Sequence, residues 1–170
     1  MKPIIILNKI KKYTNQEIIH EFEIFCQDKE SLIISTTNED KSPLTNYSPF
    51  VEKNDCFYIC VSSLLPHYEN IVRDKKAHVF IIEDESKASH VYARKRLYFD
   101  VVCETVNKEE EIFQLFDKKY KDKLSFLRSM KDFKILKLLP EEKSLVLGFG
   151  AAYILNNEGK ISQKTISHKN

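Results

Sequence analysis

Ile82-Glu83-Asp84-Glu85-Ser86-Lys87-Ala88, followed by Ala93-Arg94-Lys95-Arg96-Leu97-Tyr98-Phe99, is the most informative part of this chain. It joins an acidic corner to a run carrying three cations. Residue chemistry alone reads it as a turn followed by a basic strand, which continues as a long β-rich run over 94–106. On a strand, Arg94 and Arg96 share one face and Lys95 points to the other.

Working outward, further short β-rich runs occupy 32–37, 43–53, 56–63 and 77–83, with turn residues at 38–42 and 53–55. Thr14 and Glu17 have capping-box spacing. Ile18, Ile19, Phe22, Phe25 and Cys26 then recur on one face, so the spacing predicts an amphipathic helix over 15–28. Pro66 opens a short helix over 66–74. A helical region with Ile112, Phe113, Leu115, Phe116, Leu124, Leu127 and Met130 follows, with a break near Asp122, and two strands over 132–139 and 143–155 complete the pattern. Gly148 and Gly150, flanking Phe149 in the last of these, mark a bulge, a close approach or a barrel corner. Six or seven strands with one medial helix and a helical pair predict an α+β, mainly β fold: a small antiparallel barrel with helices packed outside. Residues 1–155 form one domain on this reading, and 156–170 form a polar tail.

The chain has 170 residues and 31% charged content, and its net charge of +2 leaves any cationic site local rather than directed at nucleic acid. Its four cysteines contain no C-x-x-C pair. Cys56 and Cys60, four apart on a strand, are separated by roughly 13 Å, too far for one metal or a disulfide. They read as small hydrophobes in a reducing compartment. Ile4-Ile5-Ile6-Leu7 is far shorter than a signal-peptide core, and no stretch reaches membrane-spanning length, so the expectation is a cytoplasmic protein without a membrane partner. The interleaved charges of 118–123 read as a solvated helix end.

Thr45-Asn46-Tyr47-Ser48-Pro49-Phe50-Val51, Phe57-Tyr58-Ile59, His67 with Asn70, the 82–99 run and Gly148-Phe149-Gly150-Ala151-Ala152-Tyr153 together resemble the HugZ/HutZ family of haem-degrading proteins. The segments occur in the family's order across roughly residues 30 to 155. The resemblance implies the split β-barrel of the pyridoxamine 5′-phosphate oxidase superfamily, with peripheral helices and an FMN-binding-protein-like fold. It also implies a homodimer with ligand sites at the subunit interface, haem as both cofactor and substrate, and oxygen-dependent opening of the porphyrin ring with electrons from an external donor or reductase. Haem storage or transfer without efficient turnover is the alternative. An FMN-dependent oxidoreductase of the same fold, with FMN near Asn46-Tyr47-Ser48-Pro49, is another.

Read without the family, His168 is a solvated histidine in the polar tail. The resemblance makes it the axial ligand of haem iron. It further implies that Asp132 hydrogen-bonds the ligating histidine of the other subunit and strengthens its donation to iron. Ser31 stands where related proteins carry a threonine that pairs with that aspartate across the subunit interface. Arg96, and less closely Arg94, match the family's functional arginine, and guanidinium forks suit haem propionates; the bland alternative is a basic strand edge that discourages aggregation. His67 corresponds to a family histidine with a distal or auxiliary haem role, against a plain surface position. His20 on the polar helix face, His78 in a buried strand and His90 in a loop carry no ligand role.

Overall fold

The computed structural model describes residues 11–158 and 160–163. In chain order the elements are α1 (Asn15–Asp28), β1 (Ser31–Thr37), β2 (Pro43–Lys53), β3 (Cys56–Ser62), α2 (Pro66–Asp74), β4 (Lys76–Ile82), β5 (Arg96–Val106), α3 (Glu110–Tyr120), β6 (Phe133–Pro140), β7 (Glu142–Val146), β8 (Ala152–Asn156) and β9 (Ile161–Gln163). Six strands close a barrel in the order β4-β1-β2-β3-β6-β5, sealed where β4 pairs with β5. The pairings are antiparallel throughout. The second half of β5 holds β6, its first three residues hold β7, and β8 and β9 extend the sheet beyond the barrel.

Strand alternation explains the barrel's contents: Leu97, Phe99, Val101 and Cys103 of β5 point inward, as do Ala77, Val79 and Ile81 of β4. β2 changes partner in mid-course, opposing β1 up to Pro49 and β3 from Phe50 onward. Phe50 sits at the change and is fully buried; its ring packs at a tilt on Phe57, centroids 5.8 Å apart, and Phe57 in turn packs on Phe99 at 4.9 Å. Its amide donates to the Tyr120 hydroxyl at 2.8 Å, and that hydroxyl faces the carbonyls of Glu30 at 2.6 Å and Phe50 at 2.8 Å. One buried phenol thereby ties α3 to β2 and to the start of β1.

Thr14 and Glu17 form the expected capping box on α1. Ile18, Phe22, Phe25 and Cys26 are buried, whereas Ile19, one position round the helix from Ile18, is 43% exposed. Three readings change in the sheet. The basic strand begins at Arg96 rather than residue 94, because Arg94 turns back onto the preceding loop. The run 143–155 is a hairpin, folded at Gly148 (φ 144°) and Gly150 (φ 68°) and closed by the Leu147 amide on the Ala151 carbonyl at 2.8 Å. Nothing lies within 4 Å of a Cβ at Gly148, so its backbone angle, not crowding, calls for glycine. The sheet also continues past residue 156, where β9 pairs with β8, giving nine strands among the described residues.

Lys119 also departs from the solvated reading of its segment. Its ammonium lies 3.6 Å from the centre of the Phe50 ring and donates to the Cys26 carbonyl at 3.2 Å. Burial lowers it to about 8. The cysteines are free thiols; Cys26, Cys60 and Cys103 are buried and Cys56 is half-buried. Burial pushes Cys60 and Cys103 up to about 12, which keeps them protonated.

Tyr120→Phe removes the acceptor of the buried Phe50 amide. The expected cost is about 1–3 kcal/mol, seen as a lower urea midpoint with an unchanged slope. An unchanged midpoint would mean that the amide has another acceptor.

Candidate functional site

The acidic-to-basic run folds into a corner whose cations have different fates. Arg94 donates through Nε to the Glu83 carbonyl at 2.8 Å, through Nη2 to the same oxygen, and through Nη1 to Glu85 Oε1 at 3.0 Å. Lys95 reaches across to Glu21 Oε2 on α1 at 2.6 Å, while its amide donates to Glu83 Oε2 at 3.0 Å. These two cations secure the loop. The third, Arg96, is half-buried on the outer face of β5 and donates through Nη1 to the Arg94 carbonyl at 3.1 Å. Among the described residues it has no carboxylate partner. Its guanidinium therefore retains donors for an anionic ligand, a distinction that the sequence spacing of Arg94 and Arg96 did not reveal.

A second group forms where β3 ends and β6 begins. Ser62 stands opposite Phe133 in the sheet, which brings its hydroxyl to the preceding residue: Oγ donates to Asp132 Oδ2 at 2.6 Å. The Ser62 oxygen accepts the Leu64 amide at 3.2 Å, and the Ser63 amide donates to the Asp132 carbonyl at 2.8 Å. Lys108 orders the approach to Asp132 by donating to the carbonyls of Leu127, Arg128 and Met130. Asp132 is thus held through one carboxylate oxygen, with Oδ1 available to accept a further N–H. Around this corner Leu64 is 79% exposed, and Leu65 and Met130 are also exposed. Ser62 was not among the residues singled out from sequence, since its pairing with a residue seventy positions away appears only with the strand register.

His67 opens α2 at the end of the same β3–α2 corner and is buried rather than solvent-facing, at 5% exposure. The Tyr47 amide donates to Asn46 Oδ1 at 2.8 Å, which turns the Asn46 amide nitrogen toward His67 Nδ1 at 3.4 Å. That assignment makes Nδ1 an acceptor and leaves the proton of the neutral ring on Nε2. Burial holds His67 below the usual histidine range. Its neighbour Asn70 is also buried, donating to Thr36 and Asn38. Ser31 is an exposed residue at the start of β1, apart from the Ser62–Asp132 contact. His78 is on the outer face of β4 and pairs through Nδ1 with Asp100 at 2.7 Å, because the inward positions of that strand are Ala77, Val79 and Ile81.

The Arg96 and Asp132 groups lie toward opposite ends of β5. Arg96 is its first residue, whereas Val106, its last, opposes Ile135, three residues after Asp132. Ten residues of strand span roughly 30 Å. His168 lies outside the described residues. Its covalent reach is nevertheless limited: the register places Gln163 opposite Tyr153, Tyr153 opposite Leu145, and Leu145 opposite Leu97, so the chain leaves β9 level with the Arg96 end. Five further residues can extend at most about 18 Å.

His67 supplies a pH test. The unfolded imidazole takes up a proton near pH 6.5 and the buried ring resists it, so its stabilising contribution is complete above that pH and declines below it. Between pH 7.5 and 5.5 the urea midpoint of the parent is expected to fall more than that of His67→Gln. Equal falls would remove this histidine from the pH dependence.

No protein-family model matches the chain. The heme oxygenase HutZ of Vibrio cholerae serotype O1 is 28% identical over 142 residues, covering 81% of each protein. The crystal structure of Campylobacter jejuni ChuZ superposes with a TM-score of 0.81 at 27% identity, over 94% of this chain and 70% of ChuZ. That of V. cholerae HutZ, described there as a heme storage protein, gives 0.67 at 27% identity over 76% of this chain and 93% of HutZ. A Listeria innocua protein described as a putative pyridoxamine 5′-phosphate oxidase shares the fold at 16% identity, with a TM-score of 0.60 over 76% of this chain and 98% of its own. The chain is therefore similar to HutZ and ChuZ in sequence and in three dimensions, and its fold is the split barrel that it shares with them and with the Listeria protein.

Proposed function

We propose that this protein binds haem and opens its porphyrin ring in an oxygen-dependent reaction, releasing iron, at sites assembled between two copies of the chain. In this reading His168 supplies the axial imidazole, Asp132 of the partner subunit accepts its second N–H, and Arg96 receives a propionate, with Arg94 maintaining the loop beside it. His67, buried with its proton on Nε2, takes an auxiliary role rather than that of an iron ligand. Haem is the substrate and supplies the iron at which oxygen is activated; the electrons come from an external reductant.

The observation that carries the reading is the separation along β5. A histidine five residues beyond Gln163 reaches at most about 18 Å, whereas the Asp132 end of the same chain lies up to roughly 30 Å away along the strand, which favours a meeting of the tail histidine with Asp132 of a second chain over one within the same chain. The chemistry of each half suits the assignment. Arg96 has donors left for a carboxylate. Asp132 is fixed by Ser62 and keeps an oxygen for an imidazole N–H, the arrangement that increases electron donation to a ligated metal. No helix among the described residues is long and apolar enough to cross a membrane.

The heme storage description of the V. cholerae structure makes carriage without turnover the competing reading. Supplying the haem complex with ascorbate in air separates the two: loss of the Soret band with iron release is expected, and a persistent spectrum would contradict degradation. Asp132→Ala is expected to retain most haem binding and lower the degradation rate by about 10- to 100-fold. Equal turnover by variant and parent would take Asp132 out of the reaction.

A further inference from the structure

We propose that His90, Tyr92 and Phe149 form an aromatic clamp for one face of a tetrapyrrole ring, beside the guanidinium of Arg96. This assignment rests on the haem reading above and adds a subsite to it. Two separate pieces of chain build the trio. The first is the loop closed by the Glu83 amide on the Lys95 carbonyl at 2.8 Å, which contains the short turn Val91–Ala93. The second is the β7–β8 turn, whose two positive-φ glycines carry Phe149 between them. Their rings meet at His90, 5.9 Å from Tyr92 and 5.3 Å from Phe149.

Tyr92 is 79% exposed, Val91 68% and Phe149 60%, an apolar grouping of the kind that marks a binding surface. It adjoins the one cation of the corner left without a carboxylate among the described residues: Arg96 donates to the carbonyl of Arg94, which caps the Val91–Ala93 turn, and stands opposite Val146 just before the glycine turn. Flat rings next to a free guanidinium match a broad unsaturated ring system bearing carboxylates. A peptide strand fits less well, since β5 and β7 pair with each other here and present no open edge between them.

His90 is not positioned to replace the tail histidine on iron. Its Nδ1 accepts the Tyr92 amide at 3.2 Å, so the neutral ring bears its proton on Nε2 and aims no lone pair outward. The clamp therefore acts on the macrocycle and not on the metal, which lets the two be tested separately.

Fluorescence titration of the full-length protein with metal-free protoporphyrin IX reads the clamp without iron coordination. The double variant Tyr92→Ala, Phe149→Ala is expected to bind it at least about tenfold more weakly than the parent, with unchanged molecular mass in solution. Tyr92→Phe should bind as the parent does. His168→Ala is expected to lose the haem spectrum yet keep its affinity for the metal-free ring, so failure of the iron anchor and failure of the clamp give different results. The proposal is overturned if the double variant retains parental affinity, if the parent does not bind the metal-free ring, or if affinity falls only together with a fall in mass, which would make the trio a contact between copies.

Discussion

Strand β5 imposes the constraint on which the other features depend. It is eleven residues long, and its first seven, Arg96 to Val102, pair along one edge with β4. Its other edge is divided, with β7 held by the first residues and β6 by the last. That division closes the barrel while leaving a three-strand extension attached at one end. It also fixes the distance between two chemically distinct groups, a guanidinium where the strand begins and a carboxylate near where it finishes. The length of an extended chain, rather than any single contact, is what favours the proposed second copy for a site that uses both.

Around each group the fold uses neighbouring polar atoms for positioning, and it leaves donors of Arg96 and one oxygen of Asp132 without a partner among the described residues. Arg94 and Lys95 are adjacent to Arg96 in sequence, yet their donors are satisfied by Glu83, Glu85 and Glu21. These contacts replace the sheet hydrogen bonds that a longer strand would have formed, and they explain why β5 starts where it does. At the other end, Ser62 and the Lys108-capped segment hold Asp132 by one oxygen. Surface ion pairs of this kind contribute little to stability individually, typically about 0–1 kcal/mol, so their role here is mainly geometric.

Much of this was legible in the sequence, and what was not has a physical explanation. The capping box, the strands with alternating apolar residues and the helix opened by Pro66 depend on neighbours within a few positions, and they appeared where expected. Lys119 was misread because its charge suggested solvent, whereas its stem follows the apolar surface and its ammonium finds the Phe50 ring and the Cys26 carbonyl. The hairpin at 147–151 was hidden in an apolar run whose only turn signal was its two glycines. Ser62 and Tyr120 were invisible as functional neighbours, since each bonds to a residue seventy positions away.

The most direct measurement of the central claim uses mixed dimers. Asp132→Ala and His168→Ala chains bearing different affinity tags are co-expressed, and the heterodimer is purified and supplied with haem, ascorbate and oxygen. A site built across the two chains predicts that the mixed species recovers roughly half the parental rate, because one of its two sites has both groups intact, while either homodimeric variant remains impaired. A heterodimer no more active than the two homodimers would contradict the account and place both groups in one chain.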